Sequence, residues 1–243
     1  METFKIRAHA SGIIMTGIIG LTEKQSEKLL LLESKEKRTD KQEEEYQELT
    51  LKKQNPDLPQ TIKSYCKEWL TEKMYGYRKE IKNRYLDKGS IMEDDAIDLA
   101  INLLNLPFVM KNTLSFEDEF FTGTPDIIID ELDRVDDTKC SWDCFTFPLF
   151  EEEIPNMDYF YQLQVYMHLT GKKHASLDYV LLNTPEYLDY GEPKTYDHLD
   201  KKFRIRNYLI EYDESVILEL QKRVILCKEY INSLLKKIKK IKL

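Results

Sequence analysis

The chain has 243 residues, of which 42% are hydrophobic and 33% charged, with a formal net charge of −8. That balance suits a soluble globular chain: one large domain, or one domain with an appendage. No apolar run approaches the roughly 20 residues of a membrane helix, and "METFKIRAHASG" lacks the apolar core and cleavage site of a signal peptide, so the expected location is the cytoplasm and no membrane is expected as a partner.

In chain order, "TFKIRAHASGIIMTG" reads as a strand or extended arm ending in a glycine-bounded turn at Gly12. Thr22 to about Lys53 is charged and glycine-free, with a capping box at Thr22 and Gln25. This is one long helix or a helical hairpin. "NPDLPQ" breaks it. Thr61 is then the expected N-cap of a helix whose stripe is Ile62, Tyr65, Cys66 and Trp69. Tyr85 to Leu104 is helical, interrupted near Gly89. Phe116–Phe121, Asp126–Asp130 and Val135–Ser141 read as successive strands. A helix over Asp158–Thr170 is closed by Gly171, strands follow at Ser176–Asn183 and Arg204–Tyr212, and a long helix runs from Ser215 to the end. Helices around a small central sheet make an α/β or α+β class. In the last helix Ile217, Leu220, Val224, Cys227, Ile231, Leu234, Ile238 and Ile241 recur three and four apart, a heptad seam. It packs on the Thr22–Lys53 helix of the same chain, the expected arrangement, or on a second copy in a homo-oligomer.

Charge is unevenly distributed. Eight Lys/Arg face four Asp/Glu between Thr61 and Ser90, and the tail "LLKKIKKIKL" is purely basic. Nine carboxylates crowd between Glu117 and Asp137, opposed only by Arg134. A basic track beside a local acidic pocket differs from a uniformly acidic protein. Cys66, Cys140, Cys144 and Cys227 form no CxxC pair and read as buried or free thiols.

The acidic pocket has internal order. Asp137 and Lys139 are two apart, so on a strand they share a face, and Asp126, at the start of the preceding strand, can be brought to the same face. Two carboxylates and an ammonium around one point suit a divalent cation with a neighbouring polariser. Glu93 lies on the helical stripe of Ala96, Ile97 and Ala100 and needs a partner there, a metal or Lys139. Gln162 shares a face with Val165, Tyr166 and Leu169 and must find hydrogen-bond partners. Gln164 sits on a more polar face. Asp136 competes with Asp137 for the acid role, but alternation turns it to the other side of the sheet.

Glu93, then "TPD" (Thr124–Asp126), "DTK" (Asp137–Lys139) and "QLQVY" (Gln162–Tyr166) together resemble the PD-(D/E)XK nuclease superfamily, and within it the bacteriophage lambda-type and YqaJ-like exonucleases. The resemblance covers Lys88 to Gly171, with a weaker match at "IRAHASGIIMTG". It implies a restriction-endonuclease-like core over residues 1–243: a central mixed sheet flanked by helices, with a 22–54 helical appendage and a 214–243 C-terminal helix. It also implies a Mg²⁺-dependent DNA exonuclease, with Mn²⁺ able to substitute, degrading linear duplex 5′ to 3′ in phage or prophage recombination within the host cytoplasm. Asp126, Asp137 and Glu93 would hold the metal, Lys139 would position the nucleophile, Gln162 would support the site with Gln164 as second choice, and Arg7 and Ser11 would hold a DNA 5′-phosphate. The partners implied are DNA, a phage single-strand annealing protein and further copies of the chain. The alternatives are a structure-specific endonuclease or nickase on the same core, or a DNA-binding scaffold without catalysis.

Overall fold

The computed structural model describes residues 3–79, 83–107, 109–188 and 194–240. Its elements in chain order are β1 (Ile6–Arg7), α1 (Ser11–Met15), α2 (Glu23–Glu33), α3 (Asp40–Gln54), α4 (Gln60–Tyr75), α5 (Arg84–Ile91), α6 (Glu93–Leu104), β2 (Phe116–Glu117), β3 (Phe121–Gly123), β4 (Ile127–Ile129), β5 (Arg134–Cys140), α7 (Met157–Thr170), β6 (His174–Val180), β7 (Ile205–Glu211) and α8 (Glu214–Ile238). By internal contacts the chain divides into two compact units, Met1–Gly12 with Tyr77–Val224, and Ile13–Gly76 with Ile225–Leu243.

In the second unit the region around Thr22–Lys53 is a hairpin of two helices. Each begins with a capping box, Thr22 with Gln25 and Thr39 with Gln42, which satisfies amide groups that a helix start leaves open. The thin apolar stripe is consumed by the hairpin itself: Leu29, Leu32 and Leu49 form a small core with Leu21 and Tyr46. Arg38 closes it, stacking 3.9 Å from the Tyr46 ring and donating to the Leu32 carbonyl. Helix α4 starts two residues earlier than expected, with Pro59 rather than Thr61 at its N-cap position and no side-chain cap there. Its Lys63 lies 6.0 Å from the Tyr230 ring of α8.

The first unit holds the sheets. The mixed sheet flanked by helices is present, as two ladders. β1, β3 and β2 form a three-stranded sheet, and β4, β5, β6 and β7 a four-stranded one, in those spatial orders. In the larger sheet β5 and β6 are parallel, while β4–β5 and β6–β7 are antiparallel. The expected strand Phe116–Phe121 is broken because Asp118 Oδ1 accepts from the amides of Phe120 and Phe121, both at 2.7 Å, folding the chain into a turn between β2 and β3. The four-stranded sheet is covered on both faces. Ala96, Ile97 and Ala100 of α6 pack on one face with Val180, Ile127 and Ile129; α7 packs on the other, against β5 and β6. Gly171, at φ +74°, ends α7 as expected.

Along α8 the seam residues Ile217, Leu220, Val224, Cys227 and Ile231 are buried, Leu234 is half-buried and Ile238 is exposed. Ile241, its last expected position, lies outside the described residues.

Gly12 is not the turn the sequence suggested. It lies inside α1, where an added Cβ would come 2.8 Å from the Asp158 Cα at the start of α7. Absence of a side chain lets the two backbones approach and fixes where α7 begins. Gly12→Ala should push α7 away, lowering the thermal midpoint by several degrees, on the order of 1–3 kcal/mol of overpacking. Thermal melts of the two proteins check this; an unchanged midpoint would mean α7 is not held by that contact.

Candidate active site

The site is built on three elements. Register places it: Ile127 pairs with Asp136 and Ile128 with Val135, so Asp126, one step before β4, comes opposite Asp137. Asp126 Oδ2 accepts a 2.8 Å hydrogen bond from the Thr138 amide, which ties the carboxylate to β5. Asn112 pins the same segment, its amide donating to the Asp126 carbonyl at 2.7 Å and its side chain to the Pro125 carbonyl at 2.9 Å.

On β5, Asp137 and Lys139 point to the α7 face and meet as an ion pair, Nζ to Oδ2 at 2.5 Å. Helix α7 supplies the roof. Gln162 Nε2 donates to Asp137 Oδ1 at 3.1 Å and to the Tyr166 hydroxyl at 2.9 Å. The Tyr159 ring, one turn earlier, lies 4.9 Å from Lys139 Nζ. The i, i+3 spacing of Tyr159 and Gln162 was a readable signal for this second contact.

Electrostatics follow from this crowding. Burial and the Asp137 charge push Asp126 up to about 7, against the opposing pull of Lys139 and the Thr138 amide. Burial alone would depress the Lys139 ammonium, yet the charges of Asp137 and Asp126 and the hydrogen bond to Asp137 outweigh it and raise its pKa. Lys139 therefore stays charged at neutral pH. Burial raises the Tyr166 hydroxyl, and Asp137 raises it further, so it stays protonated while accepting from Gln162.

Asp136 faces the other side of the sheet. It is fully buried and held by Arg134 through two contacts of 2.7 Å. On that face it neighbours Asp178, whose other flank accepts from Ser176 Oγ at 2.5 Å. Burial and the Asp136 charge push Asp178 up to about 7.

Glu93 is elsewhere in its pairing. It opens α6, partly exposed, and its carboxylate meets Lys111 at 2.9 Å rather than Lys139. Lys111 also holds Asp94 at 2.7 Å. Glu93 still contributes to raising Asp126, as the last of the causes acting on that group. Gln164 is fully buried and serves the β7–α8 connection, donating to the Glu211 carbonyl at 2.7 Å and accepting from the Asp213 amide at 2.8 Å. Ser11 is fully buried and its hydroxyl donates to the Ala8 carbonyl at 2.6 Å. Arg7 lies in β1, in register with Thr122. Between them sits His9, a residue the sequence did not single out. Its pKa is lowered by desolvation and by the positive charges of Arg7, Lys139 and Arg78.

Among the described residues no group of three or more His, Cys, Asp or Glu side chains is gathered to hold a metal. Two facing carboxylates are gathered, and Asp126 is raised by burial and then by the Asp137 charge, a condition that a divalent cation relieves. Mg²⁺ needs only one or two protein carboxylates when water and phosphate complete its shell, so the donor set fits such an ion.

A sheet carrying Asp126 opposite an Asp137-x-Lys139 strand, roofed by a glutamine-bearing helix, defines the PD-(D/E)XK type of nuclease core. The chain is similar to a phage-related exonuclease from Haemophilus somnus 129PT, with a TM-score of 0.76 and 25% identity over 98% of this chain and 97% of that one. It also shares its fold with the alkaline exonuclease LHK-Exo from Laribacter hongkongensis, at a TM-score of 0.63 and 15% identity over 97% and 91% of the two chains. The same enzyme in complex with dAMP matches with a TM-score of 0.59. The sequence matches no family model and no curated protein. The resemblance to phage-type exonucleases read from the motifs thus holds across the whole fold.

Asp136→Ala separates the two faces of β5. It leaves Arg134 without its buried partner and should cost about 3–5 kcal/mol of stability, while the folded fraction keeps its activity. Denaturant melts together with cleavage rates normalised to folded protein check both halves; loss of activity in fully folded protein would place Asp136, not Asp137, in the site.

Proposed function

We propose that this chain is a Mg²⁺-dependent DNA exonuclease that degrades linear duplex DNA from 5′ ends, of the phage recombination type. The observation that carries the reading is the cross-strand placement of Asp126 and Asp137 with Lys139 paired to Asp137. Likeness to exonucleases, one of them solved with dAMP, supports nucleic acid as the substrate. No helix of the described residues is long and apolar enough to cross a membrane.

Asp126 and Asp137 would hold the cation, with Glu93 joining through water once Lys111 yields. When bound, the ion supplies Lewis-acid polarisation of the phosphodiester and a water of lowered pKa. The chain's residues do the rest. Lys139 keeps its proton, so its role is to orient the attacking water and the scissile phosphate by hydrogen bonding, not to remove a proton as a base. Gln162 holds Asp137 Oδ1, leaving the other oxygen to the cation and Lys139. Tyr166 fixes Gln162 in turn. Arg7 would receive the 5′-phosphate of the end; Arg offers the planar fork for phosphate oxygens. Ser11, with its hydroxyl on Ala8, would act there through the backbone it holds in place.

Purified protein with Mg²⁺ on linear and circular duplexes tests the reading. Degradation of linear DNA alone supports it. Cutting of circles makes the chain an endonuclease or nickase, and inertness with both Mg²⁺ and Mn²⁺ makes it a binding or scaffold protein. Asp126→Ala, Asp137→Ala and Lys139→Ala should each lower the rate by at least about a hundredfold, and rates within tenfold of wild type would remove the site. Wild type should prefer 5′-phosphorylated over 5′-hydroxyl ends, and Arg7→Ala should erase that preference; equal initial rates on both ends for wild type would remove the role of Arg7.

The charge state of Asp126 gives a second test, independent of cleavage. Its folded pKa of about 7 exceeds the ordinary 3.8, so in that interval the folded chain binds a proton that the unfolded chain has released. Metal-free protein should therefore lose stability as pH rises from about 4 to about 7. Asp126→Asn should flatten part of that slope, with Asp178 supplying a remainder of the same sign. Mg²⁺ at pH 8 should raise the midpoint of wild type and not of Asp126→Asn. Melts in chelator and in Mg²⁺ across this range decide it, and an equal response of both proteins to Mg²⁺ would take Asp126 out of the metal site.

A further inference from the structure

Lys88, on α5, is fully buried. Its ammonium sits among four oxygen atoms: the carbonyls of Ser141 at 2.9 Å, Trp142 at 2.7 Å and Leu182 at 3.0 Å, and the Thr184 hydroxyl at 3.0 Å. The Trp142 ring lies 5.9 Å away. Thr184 Oγ1 is also within 3.2 Å of the Trp142 carbonyl, so two of the four oxygens are joined to each other. These groups have one thing in common. Ser141 and Trp142 leave the C-terminal end of β5, and Leu182 and Thr184 follow the C-terminal end of β6. The two strands are parallel neighbours, with Lys139 paired to Tyr179 and Cys140 to Val180, so their exits lie side by side, with carbonyls that no further ladder takes up. Buried carbonyls need donors, and a single ammonium serves both strands.

We propose that Lys88 is a tethered monovalent cation that clamps the exits of β5 and β6 and thereby positions Lys139 two residues upstream. The oxygens around it are of the kind that replace the hydration shell of K⁺ in carbonyl-lined sites, and ammonium and K⁺ are close in size. Lysine presents a compact charge on a flexible stem, whereas the flat guanidinium of arginine makes a planar fork. Lys88 is a positioning residue, not a catalytic one, because it reaches the reacting centre only through the backbone of β5. That effect on cleavage rests on the nuclease reading; the cation site itself does not.

The structural test is thermal melting of wild type, Lys88→Ala and Lys88→Met in NaCl, KCl, NH₄Cl and n-propylammonium chloride at equal ionic strength. Lys88→Met fills the stem volume but leaves the oxygens without a cation, and its midpoint should fall by about 5 °C or more in every salt. Lys88→Ala opens the site to a free cation. Its midpoint should fall further in NaCl and rise again in KCl, NH₄Cl or propylammonium relative to wild type in the same salts. A Lys88→Ala response parallel to wild type in all four salts would overturn the cation site. So would a Lys88→Met midpoint equal to wild type, a result that stays available even where Lys88→Ala does not fold. For the positioning role, folded Lys88→Met should lose tenfold or more in kcat with KM for linear duplex unchanged, and Lys88→Ala should regain rate in the salts that regain its midpoint. Unchanged kcat in Lys88→Met would limit the clamp to stability and overturn positioning. Absence of cleavage by wild type would instead fail the nuclease reading and leave the melting result to decide the cation site.

Discussion

The structure turns on one conflict: two carboxylates placed opposite each other on neighbouring strands, in a partly desolvated pocket. Side chains directly across an antiparallel pair have Cβ atoms about 5 Å apart. Two unit charges at that separation repel by about 3 kcal/mol at an effective dielectric of 20. Lys139 is close enough to oppose this, at 2.5 Å from Asp137, but it pairs with one acid and not symmetrically with both. Burial first, and then the Asp137 charge, push Asp126 up to about 7. A fold that keeps such a pair in register gives up stability in the metal-free protein, and the local arrangement explains how it does so. Asp126 is fixed by the Thr138 amide, Asp137 by Gln162, and the segment before Asp126 by Asn112. Each bond goes to an acceptor that would otherwise move away from its neighbour.

The same strand carries acids on both faces, and they are neutralised differently. Asp136 on the α6 face has a guanidinium at two points. Arginine stays protonated throughout the accessible pH range and matches a carboxylate in plane, so this pair is closed to a further cation. Asp137 has an ammonium on one oxygen and a neutral amide on the other, which leaves room for an ion. Strand alternation decides which acid gets which treatment, and a shift of one residue would exchange them.

Alternation is why this part of the site was legible in the sequence. The two-residue spacing of Asp137 and Lys139 needs only the strand assignment, and so does the turning away of Asp136. The helical spacing that sets Gln162 on one face of α7 and Gln164 on another is equally local. What stayed hidden depends on distant partners. Glu93 was expected to meet a metal or Lys139, and instead meets Lys111, eighteen positions along, in a segment with no periodicity to mark it. Lys88 reads in the sequence as one more charge in a basic run, because its four oxygens belong to two strand exits that only the parallel pairing brings together. Gly12 sat in a stretch that resembled a turn, and the reason for a glycine there is the α7 backbone, nearly 150 positions later. The helical hairpin was visible from its charge and capping signals, but not that its stripe is taken up by its own two helices.

Charge placement carries the last step. A chain with net charge −8 is a poor match for a polyanion if the sign is spread evenly. Here the acids of the site lie just before β4 and on β5, and the cations felt by His9 are Arg7, Arg78 and Lys139, the last on β5 itself. Desolvation first, and then those cations, lower the His9 pKa and favour its neutral form. Under the proposed function, a divalent ion held by the two aspartates would turn this repulsive pocket into one that accepts phosphate oxygens.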